Sequence, residues 1–310
     1  MSDRESFRMG LSQMTFKRVI AVFITILLTA YQLSCNLIPN TKQDPQQQET
    51  QGSHSLSFRI TWKDYSGRGQ AIQKIVDVYN SSIIEDKSIA VSDGFIAGIG
   101  EYEGIHVIDA EGQYAVPGFI DGHIHIESSY VTPEEIGRLL VPHGTTTIIA
   151  DPHEIVNVCG MNGLNYMLEA SKGTVLDILY MLPSCVPATP FENAGAEIDA
   201  VSMMVPIKNP RILGLGEFMN YPGVVGADDE VLMKLLVAIN EGKIIDGHSP
   251  GLKGNDLNAY ISCGIHTDHE CSTVEEMLER LSRGIYILLR EGSACHDLRT
   301  LLKAVTPANS

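Results

Sequence analysis

The hydrophobic positions between residues 70 and 115 occur in short alternating runs. Apolar and polar residues alternate at 75–79, and further apolar runs follow at residues 88–91, 95–100 and 106–110. A period of two places every second side chain on the same face of a strand. Ser92, Asp93 and Gly94 separate two of the runs and form a typical hairpin-turn signal. The segment is therefore predicted to be a small β-sandwich-like module.

After Pro117 the pattern changes to apolar runs that alternate with helical stretches. Strands are predicted at residues 119–126, 145–150, 175–182, 211–216, 243–245, 264–267 and 285–289. Helix starts are predicted after Thr132 and after Ser272, where a capping hydroxyl is followed by an early Glu. Alternating strands and helices indicate a parallel sheet. The strand spacing fits a (β/α)8 barrel, although a doubly wound open sheet has the same rhythm.

The N-terminal residues differ in composition from the rest of the chain. Lys17 and Arg18 precede an apolar run at 19–30, which is short for a membrane span and is typical of a secretory signal. Cys35 stands at a weak lipoprotein cleavage site; a misassigned start is the alternative. Because residues 36–56 are rich in Gln, Asn and Ser, residues 1–69 are expected to be a signal-like segment and a disordered polar linker. Any membrane contact would be made through residues 17–35.

The overall charge excludes one class of partner. The 310 residues carry a formal net charge of −16, with a pI of about 5.0. Nucleic-acid backbones require clustered Lys and Arg, so no nucleic-acid partner is expected. The six cysteines form no C-x-x-C pair, which argues against a zinc ribbon or a thioredoxin-like centre.

Metal-binding residue types recur at the carboxyl ends of the predicted strands. They are Asp121, His123 and His125 after the first strand, Asp151, His153 and Glu154 after the second, Glu217 after the fourth, Asp246 and His248 after the fifth, and Asp268, His269 and Glu270 after the sixth. In a barrel these ends converge on one mouth, where active sites lie. In an open sheet the first and sixth ends could not meet. The convergence favours a barrel.

The spacing of His123 and His125 points to metal binding. Residues two apart on a strand project from the same face, so both imidazoles can reach one ion. His248 and His269 could serve a second ion, and Glu217 could bridge the two. Imidazole with carboxylate ligands suits zinc, iron or manganese.

Other polar residues have a structural interpretation. Asp151, His153 and Glu154 could instead cap the following helix, because Asp-Pro favours a helix start. Lone histidines are expected to be turn or packing residues, namely His106, His143, His266 and His296.

Residues 117–129 resemble the first barrel strand of the bacterial adenine deaminases, which belong to the amidohydrolase superfamily. Amidohydrolases in general share the Pro-Gly and Asp-x-His-x-His parts, whereas the Ile-Glu-Ser-Ser continuation is more specific. Further matching stretches lie at residues 151–158, 184–188, 221–224, 246–252 and 290–294. The resemblance covers about residues 70–305.

The resemblance implies a reaction and a set of site residues. The reaction is the hydrolytic deamination of adenine to hypoxanthine and ammonia by a metal-activated hydroxide, in adenine catabolism and purine salvage. A binuclear centre of divalent ions is implied, with Mn²⁺ preferred over Fe²⁺ or Zn²⁺. A cytoplasmic location is expected, with export through residues 17–35 as the alternative. A homodimer is compatible with the resemblance. The implied metal ligands are His123, His125, Glu217, His248 and His269, and the implied substrate contacts are Asp151, His153 and Ser293.

The sequence departs from the family at its C-terminal end. The family's eighth strand carries an Asp that binds metal and accepts the proton of the attacking water, and no eighth strand with such an Asp is predicted after the seventh. The barrel at 116–310 is therefore expected to lack its last strand, in a C-terminally truncated chain. Glu154 and Glu270 are the carboxylates nominated to replace the Asp in catalysis, although neither is expected to reach the attacking water from the correct side. The alternatives are another cyclic amidohydrolase, or a metal-binding barrel without activity.

Overall fold

The computed structural model describes most of the chain after residue 73. The described residues are 58–61, 74–102, 104, 106–109, 114–189 and 191–309. The predicted signal-like segment at 17–35 lies outside them. One compact unit contains the described residues up to Phe119 together with Leu140–Thr146, and the other contains Ile120–Leu139 and the residues from Thr147 onwards. Within the described ranges, no helix has the length and apolar character needed to cross a membrane.

The N-terminal unit consists of short strands. They are β1 Phe58–Thr61, β2 Lys74–Asp77, β3 Ser82–Glu85, β4 Ser88–Ser92, β5 Phe95–Gly100, β6 His106–Asp109 and β7 Tyr114–Ala115. β2 pairs antiparallel with β3 and parallel with β7, β4 pairs antiparallel with β5, and β1 pairs parallel with β6. The strand β1 lies within residues 1–69, and the expected linker there otherwise falls outside the described residues.

The β4–β5 hairpin confirms the turn predicted from the sequence. Asp93 and Gly94 both have positive φ, at 51° and 84°. A two-residue hairpin of type I′ requires positive φ at both central positions, and Asp-Gly is among the preferred pairs. The turn therefore follows from local chemistry.

The seven strands predicted after Pro117 are all present. They are β8 Phe119–Ile124, β9 Thr145–Ala150, β10 Asp177–Leu182, β11 Ile212–Phe218, β12 Ile244–Gly247, β13 Thr267–Asp268 and β14 Tyr286–Ile287. The first five form one sheet in the order β12-β11-β10-β9-β8, in which β9 to β12 pair in parallel, and β13 pairs in parallel with β14.

Backbone hydrogen bonds continue this order past β12. The His266 amide donates to the Ile245 carbonyl at 3.0 Å, and the Tyr286 amide donates to the His266 carbonyl at 2.9 Å. The strands therefore follow one another in sequence order, whereas the order of a doubly wound sheet reverses near its middle. The arrangement is a parallel half-barrel of an α/β, TIM-type fold. The (β/α)8 form of the barrel and the sandwich form of the N-terminal module stay predictions.

Helices connect the parallel strands. They are α1 Pro133–Leu140, α2 His153–Cys159, α3 Met161–Ala170, α4 Ala200–Met203, α5 Tyr221–Val225, α6 Asp229–Asn240, α7 Gly254–Ser262, α8 Val274–Leu281 and α9 Leu298–Leu301. Pro133 opens α1 as predicted. Thr273 caps α8: the Glu276 amide donates to its hydroxyl at 3.2 Å, and the Thr273 amide donates to the Glu276 carboxylate at 3.3 Å. A capping box was expected there, but it lies one residue later than the predicted start after Ser272.

Short 3₁₀ helices complete the connections. They lie at Glu127–Ser129, Val141–His143, Ser171–Gly173, Pro206–Lys208 and Leu302–Ala304. The core is formed by apolar strand residues such as Ile148, Ile178, Leu215 and Ile245, which are at most 1% exposed. Because the strand interiors are apolar, the polar side chains at the strand ends stand out as the site.

Candidate metal centre

The two histidines at the end of β8 present their ring nitrogens to each other. His123 Nε2 and His125 Nε2 are 3.2 Å apart. His123 Nδ1 lies 2.8 Å from Asp246 Oδ2, and His125 Nδ1 lies 2.8 Å from the Asp151 carbonyl oxygen. Those oxygens can only accept, so each Nδ1 carries the hydrogen. In the neutral rings each Nε2 atom therefore carries a lone pair, and the two lone pairs are directed at the same space.

Glu217, at the end of β11, is the carboxylate that joins the histidines. Its Oε2 lies 2.7 Å from His248 Nδ1 and 3.2 Å from His269 Nε2, while its Oε1 lies 3.4 Å from His125 Nε2. Glu217 is only 6% exposed. The structure thus brings together all five residues that the family resemblance implied as metal ligands.

Asp246 on β12 is a site residue that the sequence analysis noted at a strand end but to which it assigned no role. Besides its contact with His123, Asp246 Oδ2 lies 3.6 Å from His269 Nδ1, and its Oδ1 accepts the Thr267 hydroxyl. Asp246 is 5% exposed. A sequence signal existed, since Asp246 stands two residues before His248 and so projects from the same face of the strand.

The capping interpretation of Asp151 is wrong. The N-cap of α2 is Pro152, with no side-chain cap hydrogen bond. Asp151 is fully buried, and its Oδ2 accepts the Glu217 amide at 2.8 Å. Gly216 permits this approach, because a Cβ there would lie 2.4 Å from the same Oδ2.

His153 is buried beside Asp151. The backbone amides of Ser184 and Cys185 donate to its Nε2 at 3.2 and 3.4 Å. Its Nδ1 lies 2.5 Å from Asp151 Oδ1 and 3.7 Å from Glu217 Oε1. Both ring nitrogens are thus directed at protein atoms, so His153 supports the cluster through its contacts with Asp151 and Glu217.

The two nominated catalytic carboxylates differ in their surroundings. Glu154 Oε2 lies 3.2 Å from His125 Nδ1, and its side chain is 48% exposed. Glu270 Oε1 lies 3.8 Å from His269 Nε2, but it is ion-paired with Arg290. Ser293 is exposed, and no contact between it and the cluster is found within the described part of the chain.

The electrostatics of the cluster favour a bound cation. Burial would lower the pKa of His125, but the Glu154, Asp151 and Glu217 carboxylates outweigh it and raise the pKa to about 9. Burial is likewise outweighed at His269, where Asp246 and Glu217 raise the pKa to about 10. Nearby opposite charge favours the charged form of a group, so these carboxylates attract positive charge into the cluster.

The donor set fits divalent metal ions. Four imidazoles and a buried carboxylate are the ligand types of zinc, iron and manganese sites. The opposed lone pairs of His123 and His125 repel each other in the neutral state, and a cation between them would accept both. Ligand atoms of His123, His125 and Glu217 all lie within 4.8 Å of one another, as do those of Glu217, His248 and His269. Glu217 therefore belongs to two of the groups of side chains that could hold a metal ion.

The parallel half-barrel with polar residues gathered at its strand ends defines an α/β protein of the TIM-barrel class. A family model described as the amidohydrolase family matches residues 114–306. The chain belongs to the amidohydrolase family. The fold also resembles a crystal structure of the atrazine chlorohydrolase of Arthrobacter aurescens complexed with zinc and atraton, with a TM-score of 0.50 and 15% identity over 74% of this chain and 64% of that one.

Sequence comparison gives much nearer relatives. The chain is 67% identical over 237 residues to adenine deaminase 2 of Desulfotalea psychrophila, and 56% identical over 238 residues to adenine deaminase of Ligilactobacillus salivarius. Each alignment covers 76% of this chain and 41% of the relative. The chain therefore spans about two fifths of the length of these relatives.

Proposed function

We propose that the protein catalyses the hydrolytic deamination of adenine to hypoxanthine and ammonia. The observation that carries this proposal is the convergence of four histidines on Glu217, three of them within 3.4 Å of its oxygens. The high identity to proteins named adenine deaminase supports adenine as the substrate.

The cofactor in this proposal is a pair of divalent ions, with Mn²⁺ preferred and Fe²⁺ or Zn²⁺ as alternatives. His123 and His125 would hold one ion, His248 and His269 the other, and Glu217 would bridge them. Bound divalent ions would supply an activated water as nucleophile and polarise the bond under attack. Asp246 and the Asp151 carbonyl oxygen would keep the two β8 imidazoles oriented, as partners behind metal ligands commonly do.

Proton transfer is assigned to Glu154. Deamination takes a proton from water and delivers one to the departing amino group, so a carboxylate must first accept and then donate. Burial raises the pKa of Glu154, but its contact with His125 outweighs this and lowers the pKa, which keeps the accepting form. Glu154 is accessible from solvent, whereas Glu270 is held by Arg290, so Glu270 takes a secondary role.

The expected substrate contacts divide into two groups. Asp151 and His153 are buried and bonded to the protein, so we assign them to holding Glu217 in place rather than to binding adenine. Ser293 is exposed and is the expected substrate contact that stays accessible.

The test is turnover by the purified protein supplied with Mn²⁺. Ammonia release and conversion to hypoxanthine are measured with adenine, and hydrolysis is measured in parallel with a hydantoin ring. The His123→Ala/His125→Ala double variant is the control, and it should lose both bound metal and adenine turnover. Adenine turnover no faster than in this control, together with hydantoin hydrolysis, would refute the assignment in favour of another cyclic amidohydrolase.

A further inference from the structure

Asp246 lies behind two candidate ligands that belong to different ions. Its Oδ2 is 2.8 Å from His123 Nδ1 and 3.6 Å from His269 Nδ1. The two imidazoles stack with their centroids 3.7 Å apart and their planes inclined by 22°. One carboxylate therefore stands at the Nδ1 edges of a pair of parallel rings.

The opposite edges of these rings are directed at the metal positions. His123 Nε2 is 3.2 Å from His125 Nε2, and His269 Nε2 is 3.2 Å from Glu217 Oε2. An imidazole whose Nδ1 donates to a carboxylate has its lone pair on Nε2, which fixes both the tautomer and the direction of the ligand atom. His269 Nδ1 is buried without a hydrogen-bond partner, and Asp246 is the acceptor nearest to it.

Asp246 is itself held rigidly. It is 5% exposed, and the Thr267 hydroxyl donates to its second oxygen, Oδ1. Thr267 lies on β13 and Asp246 on β12, so the carboxylate is fixed between neighbouring strands. A buried carboxylate fixed in this way can hold the orientation of the His123 ring that donates to it at 2.8 Å, and it attracts the His269 Nδ1 at 3.6 Å.

We propose that Asp246 is a positioning residue that orients His123 and His269 together and so couples the two ion positions. The inference rests on the proposed metal centre and does not depend on adenine as the substrate. Asp246 is not itself a ligand in this proposal, because its 2.8 Å contact with His123 Nδ1 has the length of a hydrogen bond.

The prediction concerns metal affinity. Asp246→Asn keeps the shape of the side chain and one acceptor oxygen, whereas Asp246→Ala removes both oxygens of the carboxylate. Loss of a partner behind a metal ligand typically costs 10- to 100-fold in affinity. We expect the Ala variant to bind Mn²⁺ roughly 10- to 100-fold more weakly, with the Asn variant between it and the unaltered protein. At saturating Mn²⁺ the number of bound ions should be unchanged.

The experiment is Mn²⁺ titration with elemental analysis of the full chain, with Asp177→Asn as the matched control. Asp177 lies at the start of β10, away from the strand ends that form the site, and its replacement makes the same change in charge. Ring ¹⁵N chemical shifts of the metal-free proteins provide a second readout. They should show hydrogen on Nδ1 of His123, and loss of this preference in the Ala variant.

The outcomes separate this inference from the proposed function. Affinity equal to that of the Asp177→Asn control overturns the positioning role. A lower ion count at saturation also overturns it, because Asp246 would then be a ligand. If the unaltered protein binds no divalent ion, the proposed metal centre fails and the inference fails with it.

Discussion

Replacing the buried Arg280 tests how the second half of the site is held in place. Arg280 lies on α8 and is fully buried. Its Nε donates to Asp268 Oδ2 at 3.0 Å, and its Nη2 donates to the Ser249 carbonyl and, at 3.2 Å, to the Ser249 hydroxyl. Asp268 and Ser249 are the chain neighbours of His269 and His248. Arg280→Met keeps most of the aliphatic stem but removes every one of these bonds.

The magnitude follows from the burial of both partners. Removing one member of a buried ion pair leaves an uncompensated charge and typically costs about 3–5 kcal/mol. Asp268, at 1% exposed, would keep the donated Glu270 amide at 2.7 Å and the Ser249 hydroxyl, so the lower end applies. We expect a loss of about 3 kcal/mol in the free energy of unfolding, or roughly 6–12 °C in Tm for a unit of this size.

The assay is urea unfolding of the full chain followed by circular dichroism. Arg283→Met is the matched control, because Arg283 pairs with Glu279 at 3.1 Å near the surface, where such pairs contribute at most about 1 kcal/mol. The Asp268→Asn/Arg280→Met double variant should recover part of the loss, since no charge is left unpaired. A loss below about 1 kcal/mol in the single Arg280 variant, or purely additive effects in the double variant, would refute the reasoning.

Three further predictions concern the metal centre. Glu217→Gln should lose at least one bound ion by elemental analysis, because the bridging charge is gone; an unchanged ion count would contradict the bridge. In the metal-free chain the pKa of His125 is raised to about 9 and that of His269 to about 10. Protonation of these rings stabilises the folded state fully below about pH 6.5, and this contribution is lost as the pH rises through the folded-state pKa values. The urea midpoint should therefore fall from pH 7 to 10, and a rising midpoint would exclude this. Glu154→Gln should lower kcat by roughly 10²- to 10⁴-fold with metal content retained, and Glu270→Gln should lower it less; equal losses would count against Glu154 as the proton carrier.

Much of the fold could be predicted because its signals are local. The seven strands after Pro117, the Asp93-Gly94 turn, the Pro133 start of α1 and the capping box of α8 depend on periodicity and on side chains a few residues apart. Strand lengths were predicted less well. Runs at 264–267 and 285–289 gave the two-residue strands β13 and β14, because strand extent depends on the pairing partner and not on apolar character alone.

The short strands of the N-terminal unit show the same limit. β3 and β7 were not predicted, although β3 contains two adjacent isoleucines in Ser82–Glu85. Two- and four-residue strands are too short for periodicity to distinguish them from turns. They are recognisable only once β2 is present to pair with both.

The candidate ligands could be predicted, but the contact between Asp246 and the Nδ1 atom of His123 could not. His123, His125 and Glu217 were found because imidazoles and carboxylates at strand ends are unusual among apolar strands. Asp246 has the same kind of position, yet its contact with His123 joins residues 123 apart in sequence. No local pattern specifies which of several strand-end carboxylates will lie behind an imidazole.

Glu217 and Asp246 lie on opposite sides of the His269 ring. Replacing either carboxylate by an amide makes the same change in charge, but the two replacements should affect metal binding differently. Glu217 approaches His269 from its Nε2 side, where an ion would be held, whereas Asp246 lies on its Nδ1 side. In the proposed centre, neutralising Glu217 removes the bridging carboxylate, so the number of bound ions should fall. Neutralising Asp246 leaves every ligand present but less firmly oriented, so affinity should fall while the count at saturation is kept. Because Glu217→Gln and Asp246→Asn both remove one negative charge from a buried position, a difference between them cannot come from net charge. It would have to come from the side of the ring on which each carboxylate lies.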